Sequence, residues 1–379
     1  MDYDPEFYAL SLGVDRLPSE VALRQRMDKI GENKREAILK ANAETLRRNG
    51  ATLSPLSNGY IPVDMDVTPF DNSKTKKEGV SRTYKGFDGY APMMAYIGAE
   101  GYLINTELRP GKQHCQNHTP DFLRQTVALC KSLTDAPLLF RLDSGNDAAE
   151  NMGILLQTGC WFIIKRNLRR ESKERWLEEM RSVCQDIESP REGKTVYIGS
   201  TWKDVVAQDS HGAEQAVTLR AVYEMTERTI DRDGQILLAP DVEVNMFWTN
   251  LSLSDRALIE LYHAHGESEQ FHSELKSDMN LERLPSGKFA TNALALELGM
   301  VAYNILRMMG QESLRRNDAP MKRKTFRRRL RTVIENLIMM ASHLTAHARK
   351  LVIGLGYSNP WRGTFARLFF AFTSPLRYS

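Results

Sequence analysis

The chain has few cysteines, little net charge and no long apolar run, and each shortage argues against a class of protein. Four cysteines occur among 379 residues, and no two of them form a CxxC pair. Their spacing argues against a zinc ribbon and against a disulfide framework, and it favours reduced thiols. The formal net charge is only +3, from 51 Lys and Arg against 48 Asp and Glu. A surface for a polyanion must therefore come from clustered charges, because the bulk charge does not supply it.

Targeting signals are also missing from the sequence. The opening residues, MDYDPEFYALSLGVDRL, carry acids early and contain no apolar stretch, so we expect no signal peptide. The most apolar stretch, residues 293–306, is interrupted by Glu297 and Asn304 and is shorter than a membrane span requires. These features predict a cytoplasmic protein.

The composition that is present, 42% hydrophobic and 26% charged residues, is typical of a globular protein. Changes in pattern divide the chain into five regions. They are a helical N-terminal segment (1–57), the first part of an α/β core (58–169), a β-rich insertion (170–250), the rest of the core (251–312) and a basic helical C-terminal region (313–379). After the insertion we expect helices over 254–278, 290–309 and 325–353.

The core begins with a strand. In YIPVDMDVTPF, apolar residues alternate with polar ones, and this period of two predicts a strand with Asp64 and Asp66 on one face. Two more strands follow, then a helix from Thr119, a strand within 136–146, a helix, and a strand within 160–167. The first three strands have no helical crossovers between them, so this order predicts a ribonuclease-H-like mixed sheet rather than a doubly wound one.

Three acids occupy positions of interest in this sheet. Asp66 lies in the first strand, Asp143 ends a later strand at a Leu-Asp-Ser-Gly turn, and Glu269 lies in the first turn of a helix. The first and fourth strands of such a sheet are neighbours, and a helix packed across that edge could add Glu269. Clustered carboxylates hold hard cations such as Mg²⁺, and two such ions can drive phosphodiester chemistry. The alternative is that these acids are ordinary turn and helix caps.

The stretch YHAHGESEQFHSELK resembles the tyrosine–arginine–glutamate–lysine signature of bacterial insertion-sequence DDE transposases. Tyr262, His265, Glu269 and Lys276 stand at its four positions. The phrases RLDSGN, VDMDVTPF, LRPGKQH, LPSGKFATNALALELGMVAYNIL and ARKLVIGLGYSNPW are similar to the group-1 DDE subset, the insertion-sequence family named thirteen-eighty. The resemblance runs from about residue 8 to residue 362.

This resemblance implies a DNA transposase with a ribonuclease-H-like fold, in which Asp66, Asp143 and Glu269 form the catalytic, metal-binding triad. It implies Mg²⁺ as the cofactor, as two ions, with Mn²⁺ as a substitute. The implied partners are the terminal inverted repeats of the element and the target DNA, held by a homodimer in a synaptic complex. The separation of 126 positions between Asp143 and Glu269 leaves room for the inserted region.

Two departures from the family pattern stand in the signature. His265 replaces the usual Arg and Gln270 the usual Asn, and His is a weaker, pH-dependent phosphate contact. The chain also begins close to the catalytic portion, so we expect an upstream region that binds DNA ends to be shortened. One alternative function is therefore a catalytically impaired relative that only binds element DNA, and another is a ribonuclease-H-like nuclease.

Candidate DNA contacts come from the signature and from two basic runs. The signature supplies Tyr262, His265 and Lys276. The run 315–331 holds nine Lys or Arg and a single Asp, and Arg327, Arg328 and Arg329 are its candidates. A second run, 165–175, begins with Lys165 and Arg166. Such runs neutralise phosphates, although a solvated helix face or a flexible tail is the alternative for each.

Some assignments stay open at this stage. Asp64 shares a face with Asp66 and is the alternative ligand, although Asp66 precedes the Val-Thr of the family pattern. Trp202 and Trp248 could stack on a base, but a Trp in a β-rich module is more often a core residue. The segment around Cys115 contains two histidines, yet it has no second ligand pair, so we do not expect zinc there.

Overall fold

A computed structural model describes residues 14–31, 34–168, 171–184, 186–208, 212–347 and 350–373. The first thirteen residues of the expected N-terminal segment therefore lie outside the described part. Residues 169–170 of the second basic run also lie outside it. The described helices are α1 (Glu20–Ile30), α2 (Arg35–Arg48), α3 (Thr119–Lys131), α4 (Ala149–Gln157), α5 (Lys173–Val183), α6 (Asp255–His263), α7 (Glu267–Ser273), α8 (Phe289–Leu314), α9 (Leu330–Val333) and α10 (Arg362–Thr373). Short 3₁₀ turns lie at Ser144–Asn146 and Ala264–Gly266, and π-helical turns at Glu274–Asp278 and Ile334–Ile338.

The strands are β1 (Ile61–Val67), β2 (Phe70–Asp71), β3 (Ser81–Arg82), β4 (Asp88–Tyr90), β5 (Met93–Ile97), β6 (Tyr102–Glu107), β7 (Leu138–Leu142), β8 (Trp161–Lys165), β9 (Asp186–Arg191), β10 (Lys194–Gln208), β11 (Glu214–Ile230), β12 (Ile236–Thr249), β13 (Ser342–His347) and β14 (Lys350–Leu355). Nine of them form one sheet in the order β6-β5-β1-β7-β8-β12-β11-β10-β9.

The first five strands of this sheet confirm the ribonuclease-H-like prediction. β6, β5 and β1 are antiparallel neighbours, and β7 and β8 then run parallel to β1. Alternate residues of the parallel strands face different cores, as Leu139 and Phe140 do on β7. Both faces of the sheet are therefore covered, which is why β7 and β8 read as short, nearly continuous apolar runs.

The inserted region is β-rich, and its strands continue the same sheet. β12 pairs with β8 antiparallel, with Thr249 opposite Ile163, and β11, β10 and β9 follow outward. Gly153 of α4 lies against β10, where a Cβ atom would come within 1.8 Å of the Gln208 carbonyl oxygen. This close approach ties the insertion to a helix of the first half of the core.

Helix α8 is longer than the predicted helix over 290–309, and it packs against β6, α1 and α2. Its 26 residues are long and apolar enough to cross a membrane by length and composition. However, Asn292 and Asn304 are buried and hydrogen-bonded within the fold, Asn304 to the backbone of β6. These contacts make α8 a core helix in this structure.

The predicted helix over 325–353 is wrong in its second half. Helical geometry ends at Ile338, and β13 and β14 then form an antiparallel hairpin. β-Branched residues such as Thr345 and Val352 oppose each other across it, and such residues favour strands. The basic charges of the segment had masked this pattern.

Candidate active site

The register of the central sheet brings Asp66 and Asp143 together. β1 and β7 run parallel, and their last paired residues are Met65 and Leu142. Asp66 and Asp143 are the residues that follow Met65 and Leu142, so both carboxylates lie at the carboxyl ends of adjacent strands. The sequence predicted that these two residues would lie close together, and their role as metal ligands stays a prediction.

Local hydrogen bonds orient both carboxylates. Asp143 caps the 3₁₀ turn that follows it, and its Oδ1 accepts hydrogen bonds from the Gly145 amide at 3.2 Å and from Asn146 Nδ2 at 2.5 Å. The Asp66 Oδ1 accepts one from the Val67 amide at 2.7 Å. The Leu-Asp-Ser-Gly turn therefore serves to hold the acid as well as to end the strand.

The negative charge of this pair is largely uncompensated. Burial, followed by the charge of Asp66, raises the pKa of Asp143 above its usual range, as expected for neighbouring carboxylates. No Lys or Arg of the described residues forms an ion pair with Asp66 or Asp143. The nearest base is His272, whose Nε2 lies 3.6 Å from the Asp66 Oδ2.

Asp64, the alternative ligand, is engaged elsewhere. The Arg141 guanidinium binds both of its oxygens, at 2.6 and 2.7 Å, and the His265 Nδ1 lies 2.9 Å from its Oδ1. Burial opposes ionisation, but Arg141 and His265 together hold the pKa of Asp64 below its usual value. Asp64 is thus a neutralised internal acid, and Asp66 is the carboxylate of this strand that stays open.

The prediction that His265 contacts DNA does not fit its position. Its side chain is only 13% exposed and binds Asp64 of β1. Burial favours the neutral imidazole, yet the charge and hydrogen bond of Asp64 raise the pKa of His265 overall. His265 therefore anchors the segment before the glutamate helix to the sheet, because a buried carboxylate lies within its reach.

Glu269 is the expected third ligand, and the structure does not bring it to the pair. It lies in α7, where Ser268, Phe271 and His272 are buried and Glu269 is exposed. Helical periodicity turns these buried side chains to the core and leaves Glu269 on the solvent side. Across the described ranges, no group of three His, Cys, Asp or Glu is arranged to hold a metal ion.

The packing of α7 itself is closely defined. Gly101, with φ +72°, lies under the Phe271 ring, where a Cβ atom would come within 2.3 Å of a ring carbon. Tyr96 of β5 packs on the same ring at 5.1 Å between centroids. The helix is therefore seated on the turn between β5 and β6, beside the carboxylate pair.

Tyr262 and Lys276 both lie close to the acidic edge. The Tyr262 ring packs on Phe247 at 4.6 Å, and burial together with the charges of Asp143 and Asp66 raises the pKa of its hydroxyl. The Lys276 Nζ donates to the Pro69 carbonyl at 2.6 Å, just beyond β1, and burial lowers its pKa. Their predicted contacts with a substrate phosphate stay predictions, and both are well placed for them.

The basic run 327–329 serves mainly to hold the end of the glutamate helix. Arg327 donates to Glu274 at 2.5 Å and to Gln270 at 2.8 Å, and Arg329 binds Asp278 at 2.9 and 3.0 Å. Arg328 is buried against Ser313, and burial lowers its pKa to about 10. The prediction that Arg328 contacts DNA does not fit this fold, since its guanidinium lies inside the protein.

The second basic run is divided between two roles. Arg166 donates to Glu171 at 2.5 Å, and its guanidinium lies 5.1 Å from the ring centroid of Trp248. Lys165, the last residue of β8, is partly exposed, and its predicted DNA contact stays a prediction. Trp248 is buried in the sheet, whereas Trp202 is 69% exposed on β10.

Sequence reasoning missed the residues that surround the acids. Arg141 could have been found, since a lone arginine in the apolar run LLFRL faces the same side as Asp143. Nothing in the sequence marked Tyr84, which is 67% exposed and whose hydroxyl donates to the Val67 carbonyl at 3.2 Å. Cys115 proves to donate to the Gly145 carbonyl at 2.9 Å, beside the turn that Asp143 caps.

The donor set of this edge fits a hard divalent cation. Two carboxylates lie together without a Lys or Arg partner among the described residues, and the buried Nε2 of His272 has no hydrogen-bond partner among the described atoms. Carboxylate oxygens are the ligands that Mg²⁺ and Mn²⁺ prefer. Fold and edge together define the class: a ribonuclease-H-like protein with an acidic pair at its strand ends.

Comparison with known proteins assigns the chain to a family. Residues 15–374 match the family described as transposase DDE domain, group 1, and the chain belongs to that family. No curated protein matches the chain. Matching solved structures include a piggyBac transposase synaptic complex with hairpin DNA, with 10% identity and a TM-score of 0.37 over 67% of this chain. The chain spans about half, 47%, of that transposase chain.

Proposed function

We propose that this protein is a DNA transposase that cuts the ends of an insertion sequence and joins them to target DNA. The chemistry would be phosphodiester hydrolysis and strand transfer dependent on Mg²⁺, as two ions, with Mn²⁺ as a substitute. The insertion-sequence family thirteen-eighty is the proposed group, and a homodimer would hold the two ends. The single observation that supports this function best is the carboxylate pair Asp66 and Asp143, uncompensated by any described Lys or Arg.

The residues at this edge of the sheet would have three roles: metal binding, phosphate binding and positioning of α7. Asp66 and Asp143 would hold the metal, and Glu269 would be the third ligand that the family resemblance implies. When bound, the ion would polarise the phosphate and make the attacking water more acidic. Tyr262 and Lys276 would hold the substrate phosphate, because both lie beside the pair and Lys276 is a point charge. His265, through Asp64, would keep α7 seated on β1.

Cleavage of labelled DNA carrying the terminal repeat of the host element, with Mg²⁺ or Mn²⁺, tests this function. We would compare wild type with Asp143→Asn and with Asp241→Asn, a control that removes an acid of the insertion. Metal-dependent nicking at the repeat boundary should vanish in Asp143→Asn and persist in Asp241→Asn. Metal-dependent cleavage that ignores the repeat would instead indicate a general nuclease.

The exposed position of Glu269 supports a second candidate function, a relative that binds the element without cutting it. Wild type would then bind the repeat in a salt-sensitive manner and leave it intact with either metal. Glu269→Gln should bind the repeat as tightly as wild type under either function. Only a transposase would show cleavage by wild type that this substitution abolishes.

A further inference from the structure

His272 is a buried base that the proposed function does not use. It lies in α7, three residues after Glu269, with 6% of its surface exposed. Its Nδ1 is 3.2 Å from the hydroxyl of Tyr96, and its Nε2 points to Asp66 at 3.6 Å from Oδ2. No described group forms a hydrogen bond with Nε2. The imidazole therefore lies between the tyrosine and the carboxylate with this nitrogen free to bind Asp66.

The chemistry of the two neighbours determines which ring nitrogen carries the proton. Burial, followed by the charge of Tyr303, raises the pKa of Tyr96 well above its usual range, so its hydroxyl keeps its proton and can donate to Nδ1. A lone pair on Nε2 would face the carboxylate of Asp66 and be repelled. The favoured tautomer therefore has its proton on Nε2, directed at Asp66.

One packing contact and the strand register hold the ring in this orientation. The Tyr96 and His272 rings meet edge to face, with centroids 5.2 Å apart at 71°. Tyr96 and Asp66 both belong to the β1–β5 ladder, in which Asp64 pairs with Tyr96 and Asp66 with Met94. Tyr96 and Asp66 thus share one face of the sheet, and α7 covers that face with His272.

We propose that Tyr96 and His272 form a positioning relay that orients the Asp66 carboxylate for a divalent cation. The proposal rests on the proposed function only in taking Asp66 as a metal ligand. His272 would donate from Nε2 to Asp66 Oδ2 and accept from Tyr96 at Nδ1. Histidine and carboxylate pairs around metal sites act in this way, and losing such a partner weakens metal affinity about 10- to 100-fold.

Binding of Mn²⁺ to the DNA-free full-length protein, followed by electron paramagnetic resonance, tests the relay without cleavage. His272→Leu should weaken Mn²⁺ binding by about tenfold or more, whereas His272→Gln, whose amide can donate to Asp66, should retain most of it. Tyr96→Phe should weaken binding roughly three- to tenfold, the effect of one hydrogen bond. Tyr197→Phe is the matched control, because it removes another buried tyrosine hydroxyl, bound to Glu227 in the insertion.

Each outcome separates the relay from its alternatives. Unchanged Mn²⁺ affinity in both Tyr96→Phe and His272→Leu would overturn the relay while leaving the metal site intact. Nitrogen modulation in the pulsed spectrum of bound Mn²⁺ would show His272 to be a direct ligand and would also overturn it. If His272→Leu fails to fold, Tyr96→Phe and His272→Gln decide the question. Wild type that binds no Mn²⁺ would overturn the proposed metal site and the relay together.

Discussion

Two groups of acids lie close to the glutamate helix, and they differ in their partners. At the strand ends, Asp66 and Asp143 have no Lys or Arg partner among the described residues. At the end of the helix, Glu274 is bound by Arg307 and Arg327 at 2.5 Å each, and Asp278 by Arg329 and Arg331. The two groups also differ in burial, since the Asp66 side chain is 29% exposed and those of Glu274 and Asp278 are 3% and 0% exposed.

The difference separates structural acids from candidate ligands. A buried carboxylate held by two guanidinium groups contributes to packing, and removing it leaves buried charges unpaired. Two neighbouring carboxylates without a Lys or Arg partner repel each other, and a bound cation would remove this repulsion. Asp64 follows the first pattern through Arg141, although it is only two residues from Asp66.

The largest effect is expected on cleavage. Asp66→Asn should lower metal-dependent nicking of terminal-repeat DNA by about a thousandfold or more, because a metal contributes several kcal/mol to such chemistry. The folded protein should be retained, as judged by its circular dichroism and its melting temperature. Nicking at more than about a tenth of the wild-type rate would place Asp66 among the structural acids.

The opposite outcome is expected for Glu274→Gln. It leaves Arg307, which is fully buried, with a neutral partner, and should lower the free energy of unfolding by about 3 kcal/mol. Urea denaturation measures this change, with Glu335→Gln as a control on an exposed acid. A loss below about 0.5 kcal/mol would remove the distinction between the two groups.

Glu297 of α8 belongs to neither group and offers a test by pH. Its closest cation, Arg35, is 4.0 Å away, and burial raises the pKa of Glu297 to about 7. Since the folded-state pKa is raised, its contribution to stability is complete below about pH 4.5 and is lost as pH rises through 7. Glu297→Gln should therefore be more stable than wild type by about 2 kcal/mol at pH 8 and equal to it at pH 4. Parallel stability curves over this range would contradict the shift.

A smaller, opposite change in stability is expected at the strand ends. Asp143→Asn removes one of two neighbouring charges and keeps an oxygen that can accept from Asn146. In a buffer with a chelator it should raise the free energy of unfolding by about 1 kcal/mol, as substitutions in strained functional sites commonly do. Addition of Mn²⁺ should then stabilise wild type and not the variant. A destabilised Asp143→Asn would show that the acid serves the fold.

The smallest effect is expected for Arg329→Ala. Arg329 is half exposed and Asp278 keeps Arg331, so the loss should be about 0.5 kcal/mol. DNA binding sharpens this test, since a phosphate contact by Arg329 would lower the slope of log affinity against log salt by about 1. An unchanged slope would assign Arg329 to the helix alone.

Periodicity and the family resemblance were enough to predict the central sheet. Alternation in YIPVDMDVTPF identified β1, and the order of strands and helices identified its neighbours. The offset of 77 residues between Asp66 and Asp143 equals the register offset of β1 and β7. The C-terminal hairpin was missed, because its β-branched residues follow a basic, helix-like run.

The sequence by itself determined the elements of the core and the candidate acids, because strand periodicity and turn chemistry are local. Only the tertiary structure decided which charges pair: Arg141 with Asp64, His265 with the same acid, and Arg327 with Glu274. Each of these partners is more than 50 residues from the other in the chain. Charge alone cannot reveal whether an arginine faces DNA or a buried carboxylate, since that depends on which surfaces packing brings together.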